Sequence, residues 1–258
     1  MKEIKITISD ENKDILKQGH IEGNLYFLPS IQLDRKKYVE INKVLELCGG
    51  KWNRAKKAHI FESEEKAKSV IEAQEKGEVV DKKKTYQFFE TPEEVAKQMV
   101  ELAEIKDGMI VLEPSAGHGA ISKVIGKYVG ALDIALIQVE IDPEKCKVLE
   151  SQKMGNVLCE DFLGTFAKEY GTFDRILMNP PFARGKDAEH ILHAYENCLK
   201  EGGRLISVAS ASVEFNSQKK YKKLREFIEK NGRIIKLEKD SFKESGTNVN
   251  TVLVILNK

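Results

Sequence analysis

Beyond the midpoint of the chain, Phe173-Asp174-Arg175-Ile176-Leu177-Met178 runs directly into Asn179-Pro180-Pro181-Phe182. The first six residues read as an apolar strand and the next four as a stiff turn, because two prolines fix φ and remove two amide donors. Asn179 offers a side-chain carbonyl beside the backbone carbonyl of Pro180. Two neighbouring acceptors suit an NH₂ group, since they hold both hydrogens while the nitrogen lone pair turns toward an electrophile. An amine on an aromatic ring is a poor nucleophile because its lone pair is delocalised. Drawing the nitrogen toward tetrahedral geometry, in line with an electrophilic methyl, supplies reactivity without a strong general base. Phe182 adds a ring on which a flipped base can stack. The plainer alternative is a rigid loop, since proline pairs are common turn material.

A second group of residues lies upstream. Val111-Leu112 leads into Glu113-Pro114-Ser115-Ala116-Gly117-His118-Gly119, where small residues let backbone approach a ligand closely and helix-terminal amides can meet a carboxylate such as that of methionine. The pattern is a poor dinucleotide fingerprint, lacking the third glycine. About 20 residues on, Val139-Glu140-Ile141-Asp142 places a carboxylate where both hydroxyls of a ribose can donate to it. Next, Cys159-Glu160-Asp161-Phe162 offers an acceptor for an adenine amino group and a ring to stack on it. Taken singly, Glu140 also reads as a solvated strand end and Phe162 as core; their order on successive strand ends favours a site.

These residues need a scaffold that brings strand ends together. From Met109 onward, short apolar runs alternate with amphipathic stretches, the pattern of βα units in a largely parallel sheet. The spacing predicts seven strands: Met109–Glu113, Ile134–Glu140, Asn156–Cys159, Phe173–Met178, Arg204–Ala209, Ile234–Glu238 and Val249–Leu256. Helices fit between them at Gly119–Val129, Pro143–Gln152, Lys186–Leu199 and Gln218–Asn231, the last closing on Gly232. Thr91-Pro92-Glu93-Glu94 reads as a helix start, with Thr91 as cap, Pro92 in the first turn and Val95, Met99 and Leu102 at helical spacing. Residues 85–258 thus form an α/β domain with a seven-stranded Rossmann-like sheet.

Residues 1–84 read as a small α+β module: Leu25–Leu33 extended, Lys37–Leu47 helical, Trp52–Phe61 extended and Glu64–Glu75 helical, with the charged stretch Gly77–Lys84, including Lys82-Lys83-Lys84, as linker. The 258 residues, 41% of them apolar, suffice for one full α/β core and such a module. A formal charge of +1 advertises no polycation. The four cysteines form no CxxC pair, so the reading is reduced thiols with neither a zinc site nor a disulfide framework. No metal site is expected. The charged N-terminus lacks a signal-peptide core and no apolar run reaches membrane-spanning length, so a cytoplasmic protein without membrane contact is expected.

From Phe88 to Leu256 the chain resembles class I methyltransferases that modify amino groups, and most closely the γ group of DNA adenine-N6 methyltransferases. Phe89-Glu90-Thr91-Pro92 matches the segment preceding that family's glycine loop. The resemblance implies S-adenosylmethionine as cofactor, with Thr91, Pro92, Glu113, Pro114, Ser115, Ala116, Gly117, His118 and Gly119 at its methionine part. It implies Glu140 with Ile141 at the ribose and Asp161 with Phe162 at the adenine. Asn179, Pro180, Pro181 and Phe182 match the catalytic (N/D)PP(Y/F) motif, and Asp240-Ser241-Phe242 resembles the segment whose aromatic residue packs against the flipped base.

The family carries a large target-recognition domain after its final strand, whereas this sequence ends at Lys258. Target recognition is therefore expected from the N-terminal module, a homodimer or a partner. In the module, Lys51, Trp52, Arg54, Lys56 and Lys57 combine cations for phosphates with an aromatic that can stack or wedge; the alternative is a hairpin with a solvated basic face and Trp52 in its core. DNA is the expected substrate. Cytosine N4, RNA bases and protein glutamine are alternative acceptors, the last predicting a mostly helical N-terminal domain and Tyr as fourth motif residue. A non-catalytic subunit of a methyltransferase heterodimer would predict decay of the glycine loop or of Asn179, and both are intact.

Overall fold

The computed structural model describes residues 4–81, 89–164, 170–238, 241–243 and 249–258; Lys82-Lys83-Lys84, Phe88 and Asp240 lie outside them. The chain divides into two units, Met1–Tyr86 and Gln87–Lys258.

The first unit contains strands β1 (Lys5–Thr7), β2 (His20–Glu22), β3 (Leu25–Phe27), β4 (Lys51–Asn53), β5 (Ala58–Ile60) and β6 (Glu78–Val80), with helices α1 (Asp10–Lys17), α2 (Arg35–Leu47) and α3 (Glu64–Lys76). Strands β2-β3-β5-β4 form an antiparallel sheet, and β1 pairs with β6. Ser9, Asp34 and Ser63 cap the three helices through side-chain oxygens. Tyr26, Ile41, Leu45, Phe61 and Val70 fill the core. The sequence reading is corrected in three places. The stretch read as linker from Gly77 contains β6, whose exchange of hydrogen bonds with β1 is a long-range pairing that local composition does not reveal. The extended run from Leu25 pairs only to Phe27, before Pro29. Trp52–Phe61 is a hairpin, turning at residues 54–57, where Lys57 adopts φ +49°.

The second unit holds β7 (Ile110–Pro114), β8 (Ala135–Glu140), β9 (Asn156–Cys159), β10 (Phe173–Met178), β11 (Leu199–Ser210), β12 (Gly232–Lys236) and β13 (Thr251–Asn257). They form one sheet in the order β12-β13-β11-β10-β7-β8-β9, parallel except for β13, which runs antiparallel to both neighbours. Helices α4 (Glu93–Ala103) and α5 (Ala120–Val129) cover one face through Val95, Met99, Ile121 and Ile125. Helices α7 (Lys186–His193) and α8 (Lys219–Asn231) cover the other through Ala188, Ile191, Leu224 and Ile228, while α6 (Pro143–Gln152) connects β8 to β9. The helix predicted from Lys186 to Leu199 ends at His193 in a π-helical turn, Ala194–Cys198. Gly232 does not cap α8 in the left-handed region. Its φ of −164° is extended, and it starts β12, where an added Cβ would stand 1.9 Å from the Ile255 carbonyl oxygen.

Two sequence-consecutive strands lie to one side of β7 and β10 to the other, so the sheet order reverses between β7 and β10. Ligands of open α/β sheets bind at the carboxyl ends of strands at such a switch. With Ile176 opposite Leu112, the glycine loop after β7 and the Asn179 loop after β10 leave the sheet side by side.

Candidate active site

Asn179 follows the last residue of β10, and its side-chain amide donates both hydrogens: Nδ2 donates to the Phe89 carbonyl at 2.9 Å and to Thr91 Oγ1 at 3.0 Å. The amide therefore presents Oδ1 as an acceptor. Among the described residues no donor reaches Oδ1 or the Pro180 carbonyl. Thr91 is used differently from the sequence expectation. Pro92, not Thr91, is the residue preceding α4, no side chain caps that helix, and the Thr91 hydroxyl instead accepts from Asn179. Phe182, expected as a ring on which a flipped base stacks, is instead only 9% exposed in an apolar cluster, near-parallel to Phe89 (10°, centroids 6.2 Å apart), because burying its large apolar area outweighs presenting it at the loop.

Thr91, Glu113, Ser115, Ala116, His118 and Asn179 line one small cavity, so the segment before α4, the glycine loop and the Asn-Pro-Pro-Phe loop converge. Glu113 is buried and accepts from the Ser122 hydroxyl, which in turn accepts from Gln138 Nε2 at 2.7 Å. Burial pushes its carboxyl up to about 7, against the lowering effect of the Ser122 and Ile121 donors. Such a group is matched to a buried ammonium, which would favour its ionised form. The loop is shaped by left-handed residues: Ser115 (φ +58°), Gly117 (φ +60°) and Gly119 (φ +75°). Gly119 then opens α5, and its amide donates to the Ala116 carbonyl.

Glu140, at the end of β8, is buried and accepts from three backbone amides: Gly117 (2.8 Å), Ile141 (3.0 Å) and Asp142 (2.9 Å). It ties the glycine loop to the adjacent strand end, which is more than a solvated carboxylate would do. Each carboxylate oxygen has two lone pairs; Oε1 takes two of the amides and Oε2 one, so Oε2 keeps a position for one hydroxyl. Asp161, just past β9, is exposed and accepts from the Leu163 amide at 3.2 Å.

Two further aromatic expectations are corrected. Phe162 is 3% exposed and its ring packs in the core beside His190 (5.8 Å) and edge-on to His193 (5.0 Å), leaving no open face for stacking. Phe242 is 1% exposed, in the apolar cluster that also contains Phe182, so it presents no surface to a base. Both rings follow the burial of large apolar area, which outweighs presentation at a loop.

Several residues near the site belong to no sequence motif. His190 lies beneath the glycine loop, with Nδ1 3.4 Å from Ser115 Oγ; burial, with Lys186 nearby, lowers it to about 4, so it is a neutral ring. Asp187 is buried and accepts from the Ser210 amide (3.0 Å) and the Tyr221 hydroxyl (2.8 Å), joining α7, the end of β11 and α8. The signal available was the inward face of α7, where Asp187, His190 and Ile191 recur at helical spacing. Cys146 and Cys159 form a disulfide with Cα atoms 5.9 Å apart, correcting the expectation of thiols: α6 returns the chain so that β9 lies against β8, a proximity that spacing alone hides. In the first unit, Lys51, Arg54, Lys56 and Lys57 are exposed along the hairpin, and Trp52 is 45% exposed, tilted against the His59 ring at 5.1 Å. Among the described residues no cluster of His, Cys, Asp and Glu is arranged to hold a metal, and no helix is long and apolar enough to cross a membrane.

A family model described as methyltransferase small domain matches residues 96–238. A protein of Methanococcus vannielii assigned as ribosomal RNA small subunit methyltransferase A is 25% identical over 150 residues, which is 52% of this chain and 56% of that one. Among solved structures, the methyltransferase subunit of a type I restriction-modification system from Streptococcus thermophilus is similar with a TM-score of 0.57 at 20% identity, over 66% of this chain and 45% of that one. A modification subunit of a proposed type I restriction enzyme from Vibrio vulnificus gives a TM-score of 0.53 at 19% identity, over 88% of this chain and 58% of that one. The chain thus spans about half the length of each of these proteins, and at such identities the structural likeness shows the fold.

Proposed function

The chain belongs to the methyltransferase small domain family, whose cofactor is S-adenosylmethionine, and from that premise we propose that it methylates an exocyclic amino group of a nucleic-acid base, adenine N6 in DNA first. The observation that carries this reading is the anchoring of Asn179: both amide hydrogens are committed to Phe89 and Thr91, which leaves Oδ1 as the acceptor that the amide can offer a substrate, with the Pro180 carbonyl next along the chain. Those two acceptors take the two hydrogens of the substrate amine and turn its lone pair outward. The prolines keep the second acceptor in place. Phe89 lines the cavity beside Asn179, and Phe182 packs near-parallel to that ring and backs it with apolar surface.

When bound, the cofactor supplies a sulfonium-activated methyl group. Glu113 and the amides of the Ser115–Gly119 loop are the groups to hold its amino and carboxylate ends, with Thr91 and Pro92 shaping the walls and Pro114 ending β7 just before the loop. Glu140 with Ile141 takes the ribose and Asp161 the adenine amine, with Phe162 supporting that pocket from below. Lys51, Trp52, Arg54, Lys56 and Lys57 are proposed as contacts to nucleic acid from the first unit. A second reading, an RNA base as acceptor, is favoured by the Methanococcus vannielii relative, which is assigned to ribosomal RNA.

The test is transfer from labelled S-adenosylmethionine to DNA, RNA and protein by purified protein. Label in adenine of DNA, lost in Asn179→Ala while cofactor binding persists, is expected. Label confined to protein, or full activity in that variant, would overturn the reading; label confined to RNA would select the second acceptor. Methylome sequencing after expression in a methylation-free host identifies base and context together.

A further inference from the structure

Lys219, Lys220, Lys222, Lys223 and Arg225 crowd the first two turns of α8. Three are engaged: Lys223 pairs with Glu196 at 2.5 Å, Lys220 donates to the Arg184 carbonyl at 2.6 Å, and Arg225 donates to the Val213 carbonyl at 2.9 Å. Lys219 and Lys222 are exposed, and so is Arg184, two residues beyond Phe182; among the described residues no carboxylate pairs with any of the three. Lys219 and Lys222 stand i, i+3 and therefore share a helix face.

A basic helix face is ordinarily just solvated. This one is preceded by Phe215, which is 75% exposed. Its position is equally specific. Phe215 closes the short turn Ala211–Glu214 that leaves the end of β11, and β11 is the parallel neighbour of β10, with Ser207 opposite Met178. The turn therefore leaves the same sheet edge as Asn179. The start of α8 is bolted there by buried groups: Tyr221 donates to Asp187 Oδ1, while Asp187 Oδ2 accepts from Ser210, the last residue of β11. The backbone that carries the ring and the cations is thus anchored, at the end of β11 and the start of α8, to α7, which follows the reactive loop.

We propose that Phe215, Lys219, Lys222 and Arg184 form the surface that holds the nucleic-acid strand beside the target base, the cations facing phosphates and Phe215 stacking on a neighbouring base. The proposal rests on the amino-methyl-transfer reading for its substrate class. A ring flanked by uncompensated cations matches the alternation of base and phosphate along a strand; the nearby acid, Glu214, faces Lys236 at 3.5 Å.

The test uses the whole chain and labelled single-stranded DNA and RNA oligonucleotides, with affinity measured by anisotropy over a salt series and S-adenosylmethionine binding measured in parallel by calorimetry. Lys219→Glu with Lys222→Glu is expected to weaken oligonucleotide binding at least about 10-fold at 0.1 M salt and to lower the salt slope by roughly 1 to 2. Phe215→Ala is expected to weaken it about 10-fold, with Phe215→Tyr restoring it. Cofactor affinity stays unchanged in all of them. Unchanged oligonucleotide affinity and slope in these variants of a protein that does methylate nucleic acid overturns the surface and leaves the chemistry standing. Strand binding through these residues without methylation of any nucleic acid supports the surface and removes the reading it was built on. Failure of the wild type to bind either strand while it binds cofactor overturns the surface.

Discussion

The side-chain amide of Asn179 donates to the hydroxyl of Thr91 at 3.0 Å, joining the loop after β10 to the segment before α4 across 88 residues of sequence. A threonine read from the sequence as a helix cap thus serves instead to orient the residue that would accept the substrate amine. Thr91→Val keeps the shape and removes the acceptor. The loss of one neutral hydrogen bond, about 1 kcal/mol, is expected to reduce kcat roughly 5- to 10-fold by letting the amide rotate. Single-turnover kinetics with cofactor saturating checks this, since a defect confined to cofactor binding would disappear there.

Glu113 and His190 make opposing contributions to the pH dependence of stability. Burial raises Glu113 from 4.5 to about 7, so the folded state holds a proton that the unfolded state has lost, and stability falls as pH rises through that window. Burial lowers His190 from 6.5 to about 4, so the unfolded state takes the proton first, and stability is lost as pH falls through that window. Each shift corresponds to something on the order of 3 kcal/mol, and the two slopes offset each other in the wild type. Glu113→Gln is expected to unmask the histidine, giving stability that rises from pH 4 to 6.5 relative to wild type. His190→Asn is expected to show the reverse. Urea denaturation across pH, without cofactor, reads both signs.

Deprotonated Glu113 is the form that would favour an ammonium. Cofactor affinity is accordingly expected to rise with pH through about 7 and to lose that dependence in Glu113→Gln. Calorimetry in buffers of different ionisation heat would show proton release on binding below that pH in the wild type only.

Gly119→Ala places a Cβ at φ +75°, 2.9 Å from Leu149 Cδ2 and Gln152 Oε1. Left-handed strain and the close contact together are expected to cost about 2 kcal/mol. A lowered denaturation midpoint together with weaker cofactor binding is the expected signature, because the same residue opens α5 and closes the loop.

Peptide mapping without reductant should recover Cys146 linked to Cys159, with Cys48 and Cys198 alkylated only as thiols. Reduction is expected to lower stability by about 2 to 3 kcal/mol through the loop entropy restored to the unfolded chain. Four equally reactive thiols in denatured, unreduced protein would contradict the bond.

Much of the fold and part of the site are readable from local patterning. Alternation of apolar runs with amphipathic segments marks the strands from Ile110 to Asn257 within a few residues, since side-chain periodicity records which face is buried. Motif order along the chain likewise places Glu113, Glu140 and Asn179 at the carboxyl ends of β7, β8 and β10, because a parallel sheet carries every such end to one edge. Long-range contacts are different. That Thr91 holds Asn179, that β1 pairs with a stretch resembling a linker, and that Cys159 reaches Cys146 depend on which segments meet after folding. The direction of each ring was also decided there. Phe162, Phe182 and Phe242, read as faces for adenine and for a base, turn into the core, while Phe215, unremarked in the sequence, stands in solvent ahead of Lys219 and Lys222, which pair with no carboxylate among the described residues. Residue type states what a side chain can do, but packing against distant elements sets its direction, and in this protein that choice separates the rings that fill the core from the one left to meet a partner.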